Sequence, residues 1–184
     1  FDQTFSTAQL SRLEIYGQGG NDHIEVDKSV LLPAMIFAGT GNDHIQTGDG
    51  NTVVVGGTGN NHIEGGAGRD ILIGGTGNAH IDANGGQSIL IAGVTAYGQN
   101  AEAYLTLEAE WASGDSLQTR TAAIAAGVGG KGNQFALNSQ TVFANGFHNH
   151  LQGGSGMDWY FADLAKDKID DLVGQDLFTQ VNKQ

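Results

Sequence analysis

The chain has 184 residues, with 8 Lys and Arg against 20 Asp and Glu, a formal charge of −12, and no Cys. That acidic balance excludes phosphate-backbone binding, which needs clustered Lys and Arg. The lack of Cys excludes disulfide frameworks and thiolate metal sites, and no apolar run reaches the ~18 residues of a membrane span. Gly occurs 30 times and Pro once, roughly double the usual ~7% Gly share, which suits many tight turns rather than collagen or a Pro-rich linker. The chain starts at Phe1 with no visible signal peptide, so it reads as a processed chain or an excised piece.

A nine-residue frame runs through the sequence. Residues 8–16 (AQLSRLEIY) fit it only by an apolar eighth residue, 17–25 (GQGGNDHIE) fit it throughout, and 29–37 (SVLLPAMIF) again fit only at the eighth. From Ala38 to Ile91 the nonapeptides follow without a gap: AGTGNDHIQ, TGDGNTVVV, GGTGNNHIE, GGAGRDILI, GGTGNAHID and ANGGQSILI. The frame returns as FALNSQTVF (135–143), ANGFHNHLQ (144–152) and GGSGMDWYF (153–161). Position eight reads Ile15, Ile24, Ile36, Ile45, Val54, Ile63, Leu72, Ile81, Leu90, Val142, Leu151 and Tyr160. The first six positions predict a Gly-rich turn, and the last three a short strand alternating out, in, out. Two units make one coil of about 18 residues, and stacked coils predict an all-β solenoid, a right-handed parallel β-roll.

Alternate nonapeptides fall on the same side. One side places His23, His44, His62, His80 and His150 outward at position seven, beside Glu25, Gln46, Glu64, Asp82 and Gln152 at position nine. Such residues stack about 4.8 Å apart, so the side chains form a wet His ladder. Stacked in one row, they are poorly placed to converge on a transition metal; below pH ~6 they would repel one another. The other side is apolar on both strand faces, with Met35, Phe37, Val53, Val55, Ile71, Ile73, Ile89, Ile91, Phe143, Trp159 and Phe161 outward, and needs a cover.

Residues 92–134 interrupt the frame and offer that cover. AEAYLTLEAEWA (101–112) predicts a helix with Tyr104, Leu107 and Trp111 on one face, SGDS (113–116) a turn with N-cap residues, and LQTRTAAIAA (117–126) a second helix. GVGGKGN (127–133) reads as a flexible return, and 162–184 as a C-terminal cap, strand or helix. The chain is thus read as a single domain over 1–184: a roll block at 8–91, a helical insertion, last coils at 135–161 and the cap.

The repeats GGAGRDILI and GGSGMDWYF match G-G-x-G-x-D-x-U-x, with U a large apolar residue. The chain resembles the RTX, or hemolysin-type, calcium-binding nonapeptide-repeat family of large secreted bacterial surface proteins, over about 17–91 and 135–161. AEWASGDSLQTR with TVFANGF and GGSGMDWYFA also resembles an RTX-type module of large extracellular proteins of marine bacteria. The resemblance implies Ca²⁺ between turns of successive coils, held by Gly-turn carbonyls and the position-six Asp. The implied site residues are Asp22, Asp43, Asn61, Asp70 and Asp158, with Gly19, Gly39, Gly41, Gly57, Gly59, Gly66 and Gly68.

Position six, however, reads Asp22, Asp43, Thr52, Asn61, Asp70, Ala79, Ser88, Gln140, Asn149 and Asp158. Only Asp22 and Asp43 form a stacked acid pair. Asp43 with Asn61 is weaker, Asp70 has Thr52 and Ser88 as neighbours, and Asp158 would face only Gln140. Ligand charge sets affinity, so about one to three ions are expected, with none as the alternative. The chain carries no G-x-S-x-G, H-E-x-x-H or P-loop motif, and a roll surface has no cleft to exclude water. The expected function is non-enzymatic: an extracellular structural or adhesion module, with the adhesion ligand unspecified. The alternatives are a homopolymeric filament subunit stacking through its open ends, favoured by weak capping at FDQTFSTAQL, or a secretion and folding module of a secreted enzyme.

Overall fold

The computed structural model describes residues 10–130 and 132–183. The readings placed on 1–9, including the start of the first repeat and the weak N-terminal cap, lie outside these residues.

Nine short strands come first: β1 (Leu13–Tyr16), β2 (His23–Glu25), β3 (Ala34–Phe37), β4 (His44–Gln46), β5 (Thr52–Val55), β6 (His62–Glu64), β7 (Ile71–Ile73), β8 (His80–Asp82) and β9 (Ile89–Ile91). They alternate between two parallel sheets, odd strands in one and even strands in the other. Register follows the frame, Ile45 beside Ile63 and Ile63 beside Ile81, Val54 beside Leu72 and Leu72 beside Leu90. Position eight therefore fills the space between the sheets, where Ile36, Ile45, Val54, Ile63, Leu72, Ile81, Leu90, Leu151 and Tyr160 form one buried cluster. Each such side chain contributes about 1.5–3 kcal/mol by burial, and that is why one large apolar residue per repeat is enough to set the architecture. Both sheets are open.

After β9 the chain leaves the stack. β10 (Val94–Thr95) leads to α1 (Ala101–Trp111) and α2 (Leu117–Ala126). Asn100 caps α1 by accepting the Ala103 N–H, and Ser116 caps α2 by accepting the Thr119 N–H. Tyr104, Leu107 and Trp111 of α1 and Ile124 of α2 pack with Met35, Phe37, Val53, Ile71, Ile73, Ile89 and Ile91 in a second core. The helices thus cover the apolar sheet, as its doubly apolar strands require. The return is a hairpin of β11 (Val128–Gly130) and β12 (Asn133–Phe135), not an unpaired loop.

Residues 135–143 differ from the reading as a roll coil. Val142 and Phe143 form β13 (Val142–Phe143), which pairs antiparallel with β10. The insertion leaves and returns at one corner, so its two ends lie side by side in opposite directions. The insertion therefore extends to Phe143. The stack resumes with β14 (His150–Gln152) directly on β8 and β15 (Trp159–Ala162) directly on β9. The region read as a cap supplies one more coil, with β16 (Lys168–Ile169) on β14 and β17 (Leu177–Gln180) on β15.

Candidate metal centre

Successive turns stack at two corners of the roll, and from Asp43 on a position-six acid or amide ties its turn to the one before. The Asp22 N–H donates to Asp43 Oδ1 at 2.9 Å, the Asp43 N–H to Asn61 Oδ1 at 3.1 Å, and the Ala79 N–H to Asn149 Oδ1 at 2.9 Å. At the other corner the Thr52 N–H donates to Asp70 Oδ1 at 2.8 Å and the Ser88 N–H to Asp158 Oδ1 at 2.7 Å. Position five adds an amide ladder. Asn21, Asn42, Asn60 and Asn78 each accept, through Oδ1, the backbone N–H of the same position one coil on. One oxygen of Asp43, Asn61, Asp70, Asn149 and Asp158 is therefore structural whether it belongs to an acid or an amide.

The second atom of that side chain separates the turns. Asp22 Oδ2 and Asp43 Oδ2 are buried and have no hydrogen-bond partner. A Cβ on Gly17 would lie against both Asp22 Oδ2 and the Ala38 carbonyl, so two oxygens face the same space with no donor between them. At the equivalent place one coil beyond Asp43, the second atom is Asn61 Nδ2, which donates to the Gly74 carbonyl at 3.2 Å. The acid pair is thus left with a cation-sized need that the amide supplies internally. The Gly39 and Gly57 carbonyls accept the Thr58 and Thr76 N–H groups, whereas those of Gly41 and Gly59 accept none among the described residues. Gly41 sits at φ 137, and a Cβ there would overlap the Gly20 carbonyl. Gly19 is in a parallel bridge with Thr40. Gly66 and Gly68, at the second corner, are not in the positive-φ region; what requires Gly there is close stacking on the Gly48 and Gly50 carbonyls.

At the second corner Asp70 is fully buried, and burial pushes its carboxyl up to about 7. Its Oδ2 accepts the Gly66 N–H at 3.2 Å, and the Oγ of its stacked neighbour Ser88 is unpartnered. Burial also raises Asp158 to about 7, assisted by the charges of Asp176 and Asp171. Asp158 does not face Gln140, which lies in the insertion; it stacks between Ser88 and Asp176, whose Oδ1 accepts the Asp158 N–H at 3.0 Å. Asp167, Asp171 and Asp176 are site residues that the sequence reading missed. Asp167 Oδ1 accepts from the Asn149 backbone and side chain, and Asp171 accepts from the Gly153 and Gly154 N–H groups and the Tyr160 hydroxyl. The frame continues through ADLAKDKID and DLVGQDLFT, with Asp at six and Ile169 and Phe178 at eight, and that signal would have found Asp167 and Asp176; Asp171 stands at position one, where the pattern has Gly.

The His ladder stands on the uncovered sheet. Rings of His23, His44, His62 and His80 stack at 5.0, 4.9 and 4.8 Å, within 13° of parallel, while His150 meets His80 edge-on at 4.7 Å. His150 is turned by its contact with Asp170. Among the described residues, no three His, Asp or Glu side chains close on a common metal position. A calcium site here rests on carbonyls together with the position-six oxygens.

Residues 35–51 and 46–81 match the model of the RTX calcium-binding nonapeptide repeat, in four copies. No curated protein and no solved structure matches the chain at a significant level. The matched span covers the turns of Asp43, Asn61 and Asp70, and the stacked strands on either side of them repeat in its frame. The nonapeptides of residues 35–81 are therefore RTX calcium-binding repeats.

Proposed function

We propose that the chain is a non-enzymatic, calcium-assisted β-roll module of a secreted or cell-surface bacterial protein, with a structural or adhesive role. The observation that carries this reading is the pair of buried, unpartnered oxygens on Asp22 and Asp43. Calcium would be held by these carboxylates together with turn carbonyls such as those of Gly41 and Gly59. Bound there, it supplies positive charge that the fold otherwise lacks at this corner. Asp70, buried and next to the unpartnered Ser88 hydroxyl, is the candidate at the second corner. A total of about one to three ions is expected, since acids hold position six at only a few turns and, among the described residues, Asp22 and Asp43 carry the buried carboxylate oxygens with no donor. Among the described residues no helix is long and apolar enough to cross a membrane, which accords with a secreted module.

The test is far-UV circular dichroism after EDTA, followed by calcium titration with metal counting. Loss of β signal in EDTA and recovery with a few equivalents is the expected result. An unchanged spectrum with no calcium counted overturns the reading.

A second reading, end-to-end stacking into a filament, is favoured by one feature. Leu164, Leu172 and Val173 of the last coil are 54%, 44% and 61% exposed, beside the outer strand β17. Negative-stain images and sedimentation of the purified chain decide it: filaments support it, and a monomer at all concentrations removes it.

A further inference from the structure

The insertion departs from the roll after Ala92 and returns at Ala144, so this corner's turn is split between two chain segments. Asn145 joins them. Its Nδ2 lies 2.8 Å from the Gly75 carbonyl, 2.9 Å from Gly77, 3.2 Å from Ala92 and 3.4 Å from Asn149 Oδ1. The orientation of the amide is fixed by its other end, since Asn145 Oδ1 accepts the Phe147 N–H and Asn149 Nδ2. An amide has two hydrogens and cannot donate fully to four oxygens, whereas four oxygens around one point supply a large part of the six to eight that Ca²⁺ takes. Gly75 and Gly77 stand one coil after Gly57 and Gly59, at the same positions of the repeat. The position-six residue of their turn is Ala79, so the acid is missing where the amide is present.

We propose that the turn at 74–79 is a cation cage, of the type that takes calcium, whose occupant is the chain's own Asn145 amide. It rests on the reading of the Gly-turn carbonyls as calcium ligands. The cage is built, then closed by a neutral group that needs no carboxylate opposite it. Calcium binding along this corner accordingly ends before the insertion: acids at Asp22 and Asp43, then amides at Asn61 and Asn145.

Asn145→Asp keeps the shape of the plug and replaces its donor with an oxygen. That carboxylate faces three carbonyls and requires a cation. Metal counting and thermal melts, with EDTA and with saturating calcium, are compared for the wild type, Asn145→Asp and Asn145→Gly. The expected result is one additional calcium per chain in Asn145→Asp. Its melting temperature should fall below wild type in EDTA and rise more than wild type on adding calcium. Asn145→Gly opens the cage without adding charge and should gain the same ion more weakly. If Asn145→Asp does not fold at any calcium level, Asn145→Gly decides the matter. If the folded variants keep the wild-type count, the cage does not exist and the proposal falls. A wild type that binds no calcium would count against the proposed function, whereas this inference is read only from the difference between variant and wild type.

Discussion

At Asp22 and at Asn61 the same backbone geometry meets two chemistries. Both side chains occupy position six. In one the second atom is a buried oxygen without a donor, in the other a nitrogen donating to the Gly74 carbonyl. Asp22→Asn should therefore act in opposite directions on two readouts. It should remove calcium affinity at the first turn, and it should stabilise the EDTA form by about 1–3 kcal/mol, the cost of an unsatisfied buried polar atom. Chemical denaturation in EDTA and metal counting check the two separately. A variant less stable than wild type in EDTA would mean that Asp22 Oδ2 is satisfied in solution. Gly41→Ala is expected to cost more than about 2 kcal/mol, because φ 137 excludes a side chain and the Gly20 carbonyl already fills the space. Urea denaturation reads the loss directly. These choices were partly legible in sequence: the missing acids were visible at Asn61 and Ala79. The amide that replaces a cation was not, because Asn145 reaches the turn only through the 53-residue separation from Ala92 that folding closes.

At the level of elements, the insertion is a lid fastened at one end. Trp111 is fully buried, and its Nε1 donates to the Gln87 carbonyl at 2.8 Å. Arg120 stacks over the Trp111 ring at 4.5 Å and donates to the Trp111 carbonyl and Gln87 Oε1, each at 2.5 Å. Arg69, from the roll, donates to the Ser113 carbonyl between the helices. Trp111→Ala should cost about 3–5 kcal/mol. Hydrogen exchange in the variant should rise first in α1 and α2 and leave β4, β6 and β8 protected, since those strands touch the other core. Uniform loss of protection would show that the roll and its cover form a single cooperative unit. The helices could be read from Tyr104, Leu107 and Trp111 at helical spacing, and their need from the apolar strands they cover. Arg120 could not: nothing local distinguishes it from a solvated helix charge, and its burial depends on Trp111 and Gln87 arriving from elsewhere. The segment 135–143 failed for the converse reason. Val142 is buried in either arrangement, so an apolar eighth residue without a Gly turn does not tell a roll strand from an insertion strand. The last coil went unread because Asp163 and Asp171 make turns where the repeat pattern has Gly pairs.

Across the whole molecule, protons act on two sets of groups with opposite sign. Asp70 and Asp158 are raised by burial from the ordinary 3.8 to about 7. Each therefore binds more protons in the folded than in the unfolded state between those values. Their stabilising share is complete below about 3.8 and is lost as pH rises through about 7, at about 1.4 kcal/mol per pH unit for each carboxyl. His80 runs the other way. Burial, then the neighbouring His62 and His150, hold it below the ordinary 6.5, against the opposing pull of Asp82 and Asp170. Its share is present above 6.5 and is lost as pH falls through the lower folded value. With calcium chelated, the two carboxyls dominate, because they are the more deeply buried groups and their window spans several pH units. The EDTA form should accordingly melt higher at pH 5.5 than at pH 7.5. Asp70→Asn should flatten that gain by removing one carboxyl, while His80→Gln should steepen it by removing the opposing group. Calorimetric melts of the three proteins at both pH values make the comparison. A wild type that melts lower at pH 5.5 would mean that imidazolium repulsion along the stacked His row outweighs the buried acids, and that the open face, rather than the turns, sets the response to acid.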